Sequence, residues 1–426
     1  MITVDQLYGA IEIPKWLHPV ILSPEVQRLR DVRLINTSSP TCGSLSDARR
    51  FTHTLGVFSL AARLESKLLC VWPKEQAKAF CAAAMLHDVG TPPFGHLFEY
   101  QLIVSRGWSH EKFVSDIIQG TYRPEKRYHQ IYFSNPLGLH EALKWLDIDS
   151  DFVAAIVRGG NPIGSILAGS IDIDNLDNVY RMAAMLGLKP DVGTPYKLVE
   201  EMTIDENGLG FNSSSISMVS EWQNTRRRVY QVLAFDEGCL SGQAMLTECI
   251  VAALETNQLS EEQWFFTDEE LLRYLWHLPE TKYLIQRFAI GNFFDTVFLG
   301  WFSVPKGNKD LREPKHRQEL SSRLQEAVKV PCCPYVFYDN GTFSKNLSLR
   351  ISQKCSAVDI IEIGEKSIST IVSIFTPNHV DETNRRRMRP RVLEVLRDYG
   401  FFTADLMDIP SKQDIYELPG QKKLPI

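Results

Sequence analysis

Apolar residues recur at intervals of three and four through the first two-thirds of the chain. The pattern is clearest in "FTHTLGVFSLAARLESKLL", "KEQAKAFCAAAMLHD", "DNLDNVYRMAAMLG" and "WQNTRRRVYQVLAF", and it also runs through "SPEVQRLRDVRLI", "EKFVSDIIQG" and "HEALKWL". This spacing places an apolar stripe along one side of a helix, which then packs against a neighbour. We therefore predict that this part of the chain is all-α.

Strand-like runs gather later in the chain. They are "CPYVFYDN", "NLSLRIS", "AVDIIEIG" and "STIVSIFTP", and polar or glycine-containing turns separate them. Runs of β-branched and aromatic residues between such turns are typical of strands. The predicted fold class is therefore mainly α, with a helical core and a smaller C-terminal α+β portion that begins near residue 295.

Composition narrows the class of protein. A chain of 426 residues with 44% hydrophobic content can bury a large core, and a net charge of -6 lacks the basic excess of proteins that coat nucleic acid. The basic run "NRRRMRPR", residues 384–391, leaves single-stranded nucleic acid or an effector nucleotide open as a partner, but a solvated patch before the helix "VLEVLRDYG" explains it equally well. We do not expect nucleic-acid binding.

The sequence also bears on the compartment. No apolar run approaches the roughly 20 residues needed to cross a bilayer, and the N-terminus lacks the layout of a signal peptide. The eight cysteines are scattered without a CxxC pair, which is typical of reduced thiols. We expect a cytoplasmic protein with no membrane partner.

Candidate chemistry concentrates in one stretch of the helical part. Four of the ten histidines, His53, His87, His96 and His110, lie there, and Asp88 follows His87 at the end of the apolar run "AAAML". A single histidine on an apolar helix face is more often a hydrogen-bonded core residue. A buried aspartate, however, is costly unless it is paired or binds a cation. Imidazole and carboxylate together suit a divalent metal with open coordination positions.

Four motifs in order resemble one known family. "RRFTHTLGV", "LHDVGTPPFGHLFE", "WSHE" and "IDIDNLDN" closely resemble the HD-domain superfamily of metal-dependent phosphohydrolases. Within it, the chain is most similar to deoxynucleotide triphosphohydrolases of the dGTPase and SAM-and-HD-domain type, over roughly residues 20–275. The resemblance implies one divalent cation, Mn, Fe, Co, Mg or Zn, held by His53, His87, Asp88 and Asp174. We assign the neighbouring Asp172 and Asp177 to helix capping and surface positions.

The resemblance also implies roles for further residues. It gives acid–base work to His96, Glu99 and His110, and substrate binding to Arg50, at the triphosphate, and to Tyr230 and Asn178, at the nucleoside. A hydrogen bond that staples a turn is the alternative role for His96 or His110. The three arginines 226–228 point in three directions on a helix, so at most two of them can face one ligand.

Several positions depart from the family pattern. Asn175 stands where many relatives have a lysine, Asn178 replaces a sugar-facing tyrosine, Met182 an acidic residue, and Leu34 a glutamine. Loss of hydrogen-bonding groups from a polar pocket weakens discrimination between substrates. We therefore predict a modified sugar pocket that discriminates weakly against the 2′-hydroxyl or needs an effector to rebuild it.

These observations lead to a functional prediction. The first choice is metal-dependent hydrolysis of deoxynucleoside triphosphates to deoxynucleoside and triphosphate, in a homo-oligomer that binds an effector nucleotide; antiviral defence by dNTP depletion is one role for such an enzyme. The alternatives are an HD phosphodiesterase or nucleotidase that acts on another phosphoester, and a non-catalytic nucleotide sensor. We divide the chain into an N-terminal segment that packs on the core (1–36), the HD domain with the metal site (37–190), a helical extension that completes the nucleotide pocket (191–294), and an α+β region for oligomer or effector contacts (295–426).

Overall fold

A computed structural model describes residues 1–36, 39–122, 137–159, 161–352, 358–411 and 415. Helices dominate these residues and strands concentrate toward the C-terminus, which confirms the predicted fold class. The α-helices are α1 (His18–Ile21), α2 (Pro24–Arg28), α3 (Gly43–Ser46), α4 (Arg50–Arg63), α5 (Glu65–Leu69), α6 (Lys74–Leu86), α7 (His96–Arg106), α8 (His110–Gln119), α9 (Leu139–Trp145), α10 (Ser150–Val157), α11 (Ile173–Met185), α12 (Thr194–Glu201), α13 (Ile216–Phe235), α14 (Glu237–Glu255), α15 (Glu261–Trp264), α16 (Asp268–His277), α17 (Lys282–Ala289), α18 (Pro314–Val328) and α19 (Glu382–Arg397).

The helical core forms around α4, α6 and α11. The run Ala82–Ala84 of α6 is fully buried, and these small side chains allow α4 to approach closely. Helix α11 also packs on α4, so α4 contacts both of the other helices. Within the described ranges, no helix combines the length and apolar character needed to span a bilayer.

Ten strands form three sheets in the described residues. β1 pairs with β2 as a hairpin; the other sheets have the strand orders β10-β5-β9-β6 and β3-β4-β7-β8. The strands are β1 (Ile2–Asp5), β2 (Gly9–Glu12), β3 (Met202–Asp205), β4 (Gly208–Phe211), β5 (Asp295–Phe302), β6 (Cys333–Asn340), β7 (Leu347–Ser352), β8 (Val358–Ile363), β9 (Ile368–Thr376) and β10 (Leu406–Met407).

The prediction that the first two-thirds is all-α is wrong at two hairpins. The β1–β2 pair opens the chain, and β3–β4 follows α12. The sequence carried a signal for the second, because Asn207-Gly208 between alternating residues is typical of a tight hairpin turn. Gly208 has φ of +106°, a conformation that glycine adopts without strain. Because β4 pairs in parallel with β7, this hairpin joins the helical part to the C-terminal part.

Strand β6 contributes to two cores. Tyr335 and Phe337 pack on the large core of the helical part, whereas Val336 and Tyr338 pack on a separate C-terminal core with α18 and α19. The alternation of side chains along a strand produces these two faces. The sheet therefore lies between the helical part and the two C-terminal helices.

The basic run 384–391 lies inside α19, so the prediction that it precedes the helix is wrong. Asp381 caps the helix by accepting a hydrogen bond from the backbone N–H of Asn384, and Pro390 is accommodated within the helix. Arg385 pairs with Glu237 of α14 at 2.6 Å. Arg385 of the basic run therefore forms an ion pair within the protein.

Candidate metal centre and active-site cavity

Three helices bring the four candidate metal ligands together. His53 lies in the first turns of α4, His87 and Asp88 follow the last residue of α6, and Asp174 lies in the first turn of α11. The Nε2 atoms of His53 and His87 are 3.2 Å apart, and Oδ1 of Asp174 is 2.9 Å from the first and 3.7 Å from the second. Oδ2 of Asp88 lies 3.8 Å and 3.6 Å from the same two nitrogens.

The orientation of these groups fits a cation. His53 Nδ1 is hydrogen-bonded to Oδ2 of Asp177 at 2.7 Å, and His87 Nδ1 to the carbonyl of Ala84 at 2.9 Å. Because a neutral imidazole that donates through Nδ1 keeps its lone pair on Nε2, both lone pairs face the same point. Oδ2 of Asp88 is buried and has no hydrogen-bond partner among the described residues. Two imidazole nitrogens and an unpaired carboxylate oxygen form a donor set suited to a divalent cation.

The electrostatics of the centre favour positive charge. Burial raises the pKa of Asp88, but Arg50 and the two histidines outweigh it and hold that pKa well below its usual range. Burial lowers the pKa of His53, while hydrogen bonds to Asp174 and Asp177 raise it to about 10. The carboxylates around His53 therefore stabilise a positive charge at its Nε2 side, whether a proton or a metal ion.

A buried arginine supports the turn that carries His87 and Asp88. Arg28 donates to the carbonyl oxygens of Val89 at 3.0 Å and Thr91 at 2.6 Å. The indole Nε1 of Trp264 donates to the carbonyl of Gly90 at 2.8 Å. Unpaired buried carbonyls are costly, so these donors fix the turn after α6. Nothing in the sequence singled out Arg28 among the charged residues of its segment.

The assignment of Asp177 to a surface position is wrong. Asp172 does cap α11, since it accepts from the backbone N–H of Asn175 at 2.6 Å. Asp177 is fully buried and bonds both His53 and Arg181, the latter at 2.8 Å through two guanidinium nitrogens. Arg181 in turn donates to Asp5 at 2.9 Å. The residues 174, 177 and 181 share one face of α11, and that face turns toward α4 instead of toward solvent.

Glycine at position 56 makes room for this network. A Cβ atom there would lie 1.8 Å from Oδ1 of Asp177 and 2.5 Å from Nη2 of Arg181. Only a residue without a side chain allows the carboxylate to approach the backbone of α4 so closely.

The three predicted acid–base residues form a second cluster. Glu99 accepts from His96 Nδ1 at 2.9 Å through one oxygen, and from Nδ1 and the backbone N–H of His110 at 2.7 Å through the other. Burial raises the pKa of Glu99, but its bonds to the two histidines hold it well below the usual range. Burial lowers the pKa of His110, and the Glu99 carboxylate raises it by a larger amount. Glu99 therefore orients the imidazole of His110 and favours its protonated form.

Arg50 contacts the candidate metal centre directly. Its Nη1 donates to Oδ1 of Asp88 at 2.8 Å, and its Nε is buried without a partner among the described residues. Gly95 has φ of +53°, and a Cβ there would lie 2.9 Å from Nη2 of Arg50. The glycine therefore leaves space for the guanidinium beside the metal ligands.

One cavity of about 370 Å³ joins the two clusters. Its volume lies in the usual range of small-molecule sites. All ten predicted site residues line it, namely Arg50, His53, His87, Asp88, His96, Glu99, His110, Asp174, Asn178 and Tyr230. Leu34 and Met182, at the altered sugar positions, line it as well, and so do Gln243, Tyr335 and Phe337, which sequence reasoning missed.

The three consecutive arginines of α13 point in different directions, as predicted. Arg226 is buried over the ring of Tyr230 at 4.6 Å, Arg227 is exposed, and Arg228 donates to the carbonyl of Ile415 at 2.9 Å. Of the three, Arg226 is placed beside a residue of the cavity.

Comparison with known proteins agrees with this geometry. The family model described as "HD domain" matches residues 50–152, a span that holds His53, His87, Asp88 and the Glu99 cluster. The chain therefore contains an HD domain over these residues. Asp174 and the regions after it lie beyond the matched span.

Relatives of the HD-domain protein extend the comparison. It is 25% identical over 256 residues to the uncharacterized protein YwfO of Bacillus subtilis. This alignment covers 59% of the present chain and 55% of the relative. It is 24% identical over 292 residues to the deoxynucleoside triphosphate triphosphohydrolase SAMHD1 homolog of Dictyostelium discoideum. This alignment covers 61% of the present chain and 50% of the relative. It is 33% identical over 117 residues to deoxynucleoside triphosphate triphosphohydrolase SAMHD1 of Bos taurus, and this alignment covers 25% of the present chain and 20% of the relative. The HD-domain protein is thus related to dNTP triphosphohydrolases, and it spans about half the length of the first two relatives.

Proposed function

We propose that this HD-domain protein hydrolyses deoxynucleoside triphosphates to deoxynucleoside and inorganic triphosphate, with one divalent cation. The observation that carries the proposal is the unpaired, buried Oδ2 of Asp88, which shares one cavity with the converging Nε2 atoms of His53 and His87 and with the Glu99–His110 pair. His53, His87, Asp88 and Asp174 would hold the cation. When bound, it supplies Lewis acidity toward phosphate oxygens.

Arg50 would bind the triphosphate. Arg50 lines the cavity, its Nη1 is engaged by Asp88, and its Nε is buried without a partner among the described residues. A guanidinium is suited to phosphate oxygens because its donors lie in one plane. Arg50 would thus fix the position of the phosphate chain relative to the metal ligands.

His110 would transfer a proton to the leaving oxygen of the nucleoside. Its Nδ1 is held by Glu99, while its Nε2 lies 3.7 Å from Oε1 of Glu111 and would face the substrate. Because Glu99 raises the pKa of His110, it favours the imidazolium, the form that would act as the acid. His96 shares the same carboxylate, but its side chain is 69% exposed and it is the weaker candidate.

The substrate class has two supports. The relatives from Dictyostelium discoideum and Bos taurus are named deoxynucleoside triphosphate triphosphohydrolases. Part of the cavity lining is aromatic and apolar, which suits a nucleoside. At the sugar positions, Asn178 offers a buried Oδ1 without a partner among the described residues. That oxygen is a candidate acceptor for a sugar hydroxyl, in keeping with weak discrimination against ribose.

Product analysis tests the proposal. The purified chain is assayed with the four dNTPs and matched NTPs in Mg²⁺, Mn²⁺, Co²⁺ or Fe²⁺, and triphosphate and nucleoside are quantified. The control is the His87→Ala, Asp88→Ala variant, which should lose both metal and turnover. Monophosphate or free phosphate as the product would instead indicate a phosphodiesterase or nucleotidase, and metal-dependent binding without turnover would indicate a sensor.

Assembly into homo-oligomers that bind an effector nucleotide is part of the same proposal. Its support is the relationship to the dNTP triphosphohydrolases. Light scattering after size-exclusion chromatography, with and without dNTPs, measures the mass directly. A monomer under all conditions would contradict it.

A further inference from the structure

The C-terminal region reaches into the active-site cavity through β6. Tyr335 and Phe337 of this strand line the cavity, and so do Leu240 and Gln243 of α14. Tyr335, Phe337 and Gln243 are only half-buried, because the rest of their surface faces the cavity. This wall contains none of the proposed metal ligands or acid–base residues. Two aromatic rings with one amide suit a flat heterocycle better than a phosphate chain.

An aromatic cluster keeps this wall in place. The ring of Phe337 lies 5.9 Å from that of Phe343, which lies 6.0 Å from both Phe235 of α13 and Trp301 of β5. The indole Nε1 of Trp301 is fixed by a hydrogen bond of 2.8 Å to Oγ of Ser369. Packed rings of this kind hold a binding surface in one geometry before the ligand arrives.

Tyr335 and Gln243 form a polar pair within this wall. The phenol O–H donates to Oε1 of Gln243 at 2.7 Å. Among the described residues the phenol has no second acceptor, so the amide oxygen must face it to receive the proton. The NH₂ group of Gln243 then remains, and no described protein group accepts from it. The pair therefore presents a hydrogen-bond donor on the cavity wall.

We infer that Gln243, oriented by Tyr335, reads the edge of the nucleobase and gives this enzyme a preference for bases with a carbonyl group there. Guanine and thymine present a carbonyl oxygen at the position where adenine and cytosine present an amino group. A fixed NH₂ donor pairs with the carbonyl and faces another donor in the amino bases. An unpaired buried donor is costly, so the amino bases are disfavoured. This inference rests on the proposed function and names its base specificity.

The test compares variants across the four dNTPs. For the native chain we expect kcat/KM for dGTP and dTTP to exceed that for dATP and dCTP by about 3- to 10-fold, the ratio expected for one neutral hydrogen bond. Tyr335→Phe frees the amide to rotate, and Gln243→Leu removes it, so both should bring the ratio close to one. Tyr338→Phe is the matched control, since its hydroxyl accepts from the backbone N–H of Leu311 on the other face of β6. Its ratio should equal that of the native chain.

Two further measurements keep the outcome interpretable. Inhibition by inorganic triphosphate, which has no base, should be the same in all four proteins. Equilibrium binding of the four dNTPs with EDTA present should show the same base ranking without turnover. If the chain binds the dNTPs with this ranking but hydrolyses none of them when divalent metal is supplied, the proposed triphosphohydrolase activity is refuted and the inferred base preference is supported. Hydrolysis with a base ranking that Tyr335→Phe and Gln243→Leu leave unchanged, or with amino bases preferred, would overturn the inference. So would failure of the native chain to bind any nucleotide.

Discussion

Asp177 links a candidate metal ligand to the N-terminal hairpin, and its replacement by Asn tests that link. The carboxylate accepts a hydrogen bond from His53 at 2.7 Å and two from Arg181 at 2.8 Å, all away from solvent. Asn keeps the shape but loses the charge, and an amide cannot accept all three bonds. Arg181 would remain buried with Asp5 as its only described carboxylate partner.

The magnitude follows from two effects. Removal of one partner of a buried ion pair costs about 3–5 kcal/mol, and Asn retains one acceptor, so we expect a loss of about 3 kcal/mol in the free energy of unfolding. Loss of the group that orients a metal-binding histidine lowers metal affinity by roughly 10- to 100-fold. Asp177→Asn should therefore show both a lower stability and weaker metal binding.

Asp5→Asn separates the two effects. Asp5 bonds Arg181 but not His53, so this variant should lose stability while it keeps its metal affinity. Urea denaturation without metal measures the first quantity, and calorimetric titration with Mn²⁺ measures the second. Equal metal affinity in the native chain and Asp177→Asn, or an equal loss of affinity in both variants, would refute the idea that Asp177 orients His53.

The stability difference should also depend on pH. Burial raises the pKa of Asp177, but Arg181 and His53 outweigh it and lower that pKa to about 2. A lowered pKa means that the ionised group stabilises the fold above the unfolded-state pKa of about 4 and loses this contribution as the pH falls toward 2. The gap between the native chain and Asp177→Asn should therefore narrow by about 2 kcal/mol over that range, measured without metal. A gap that stays constant would contradict this assignment of charge.

Three further predictions follow from the site. Glu99→Gln should lower kcat by roughly 10²- to 10⁴-fold with metal content unchanged. Because the pKa of His110 falls in this variant, its activity should decline at a lower pH than that of the native chain as the pH is raised. Gly56→Ala should destabilise the chain by about 1–3 kcal/mol in thermal or urea unfolding, because the added methyl group meets a buried carboxylate. Gly43→Ala is the control and should leave the stability unchanged, because a Cβ there meets nothing within 4 Å. Asn178→Tyr should raise the dNTP-to-NTP ratio of kcat/KM roughly tenfold in paired assays by filling the sugar side of the cavity; an unchanged ratio would show that another residue reads the sugar.

The sequence by itself indicated the residues that meet at the candidate metal centre. His87 and Asp88 follow a helix of small apolar residues, where a carboxylate needs a partner. The resemblance of the four motifs to the HD-domain superfamily implied His53 and Asp174. The mainly helical fold and the late strands also followed from the spacing of apolar residues. These features are local, since helical and strand periodicity and a turn signal each depend on a few neighbouring residues. The Asn207-Gly208 turn between β3 and β4 is another local signal of this kind.

Only the tertiary structure decided which polar residues support that centre. The polar neighbours of Asp177 along α11 predict a surface position, yet its face of the helix turns toward α4, where Gly56 has no side chain to block it. Arg28 and Tyr335 come from distant parts of the chain, and their roles depend on which carbonyl or amide the packing places beside them. A hydrogen bond of this kind depends on the positions of two atoms to within a few tenths of an ångström. That precision arises when the helices and the C-terminal sheet pack together, so no local pattern in the sequence encodes it.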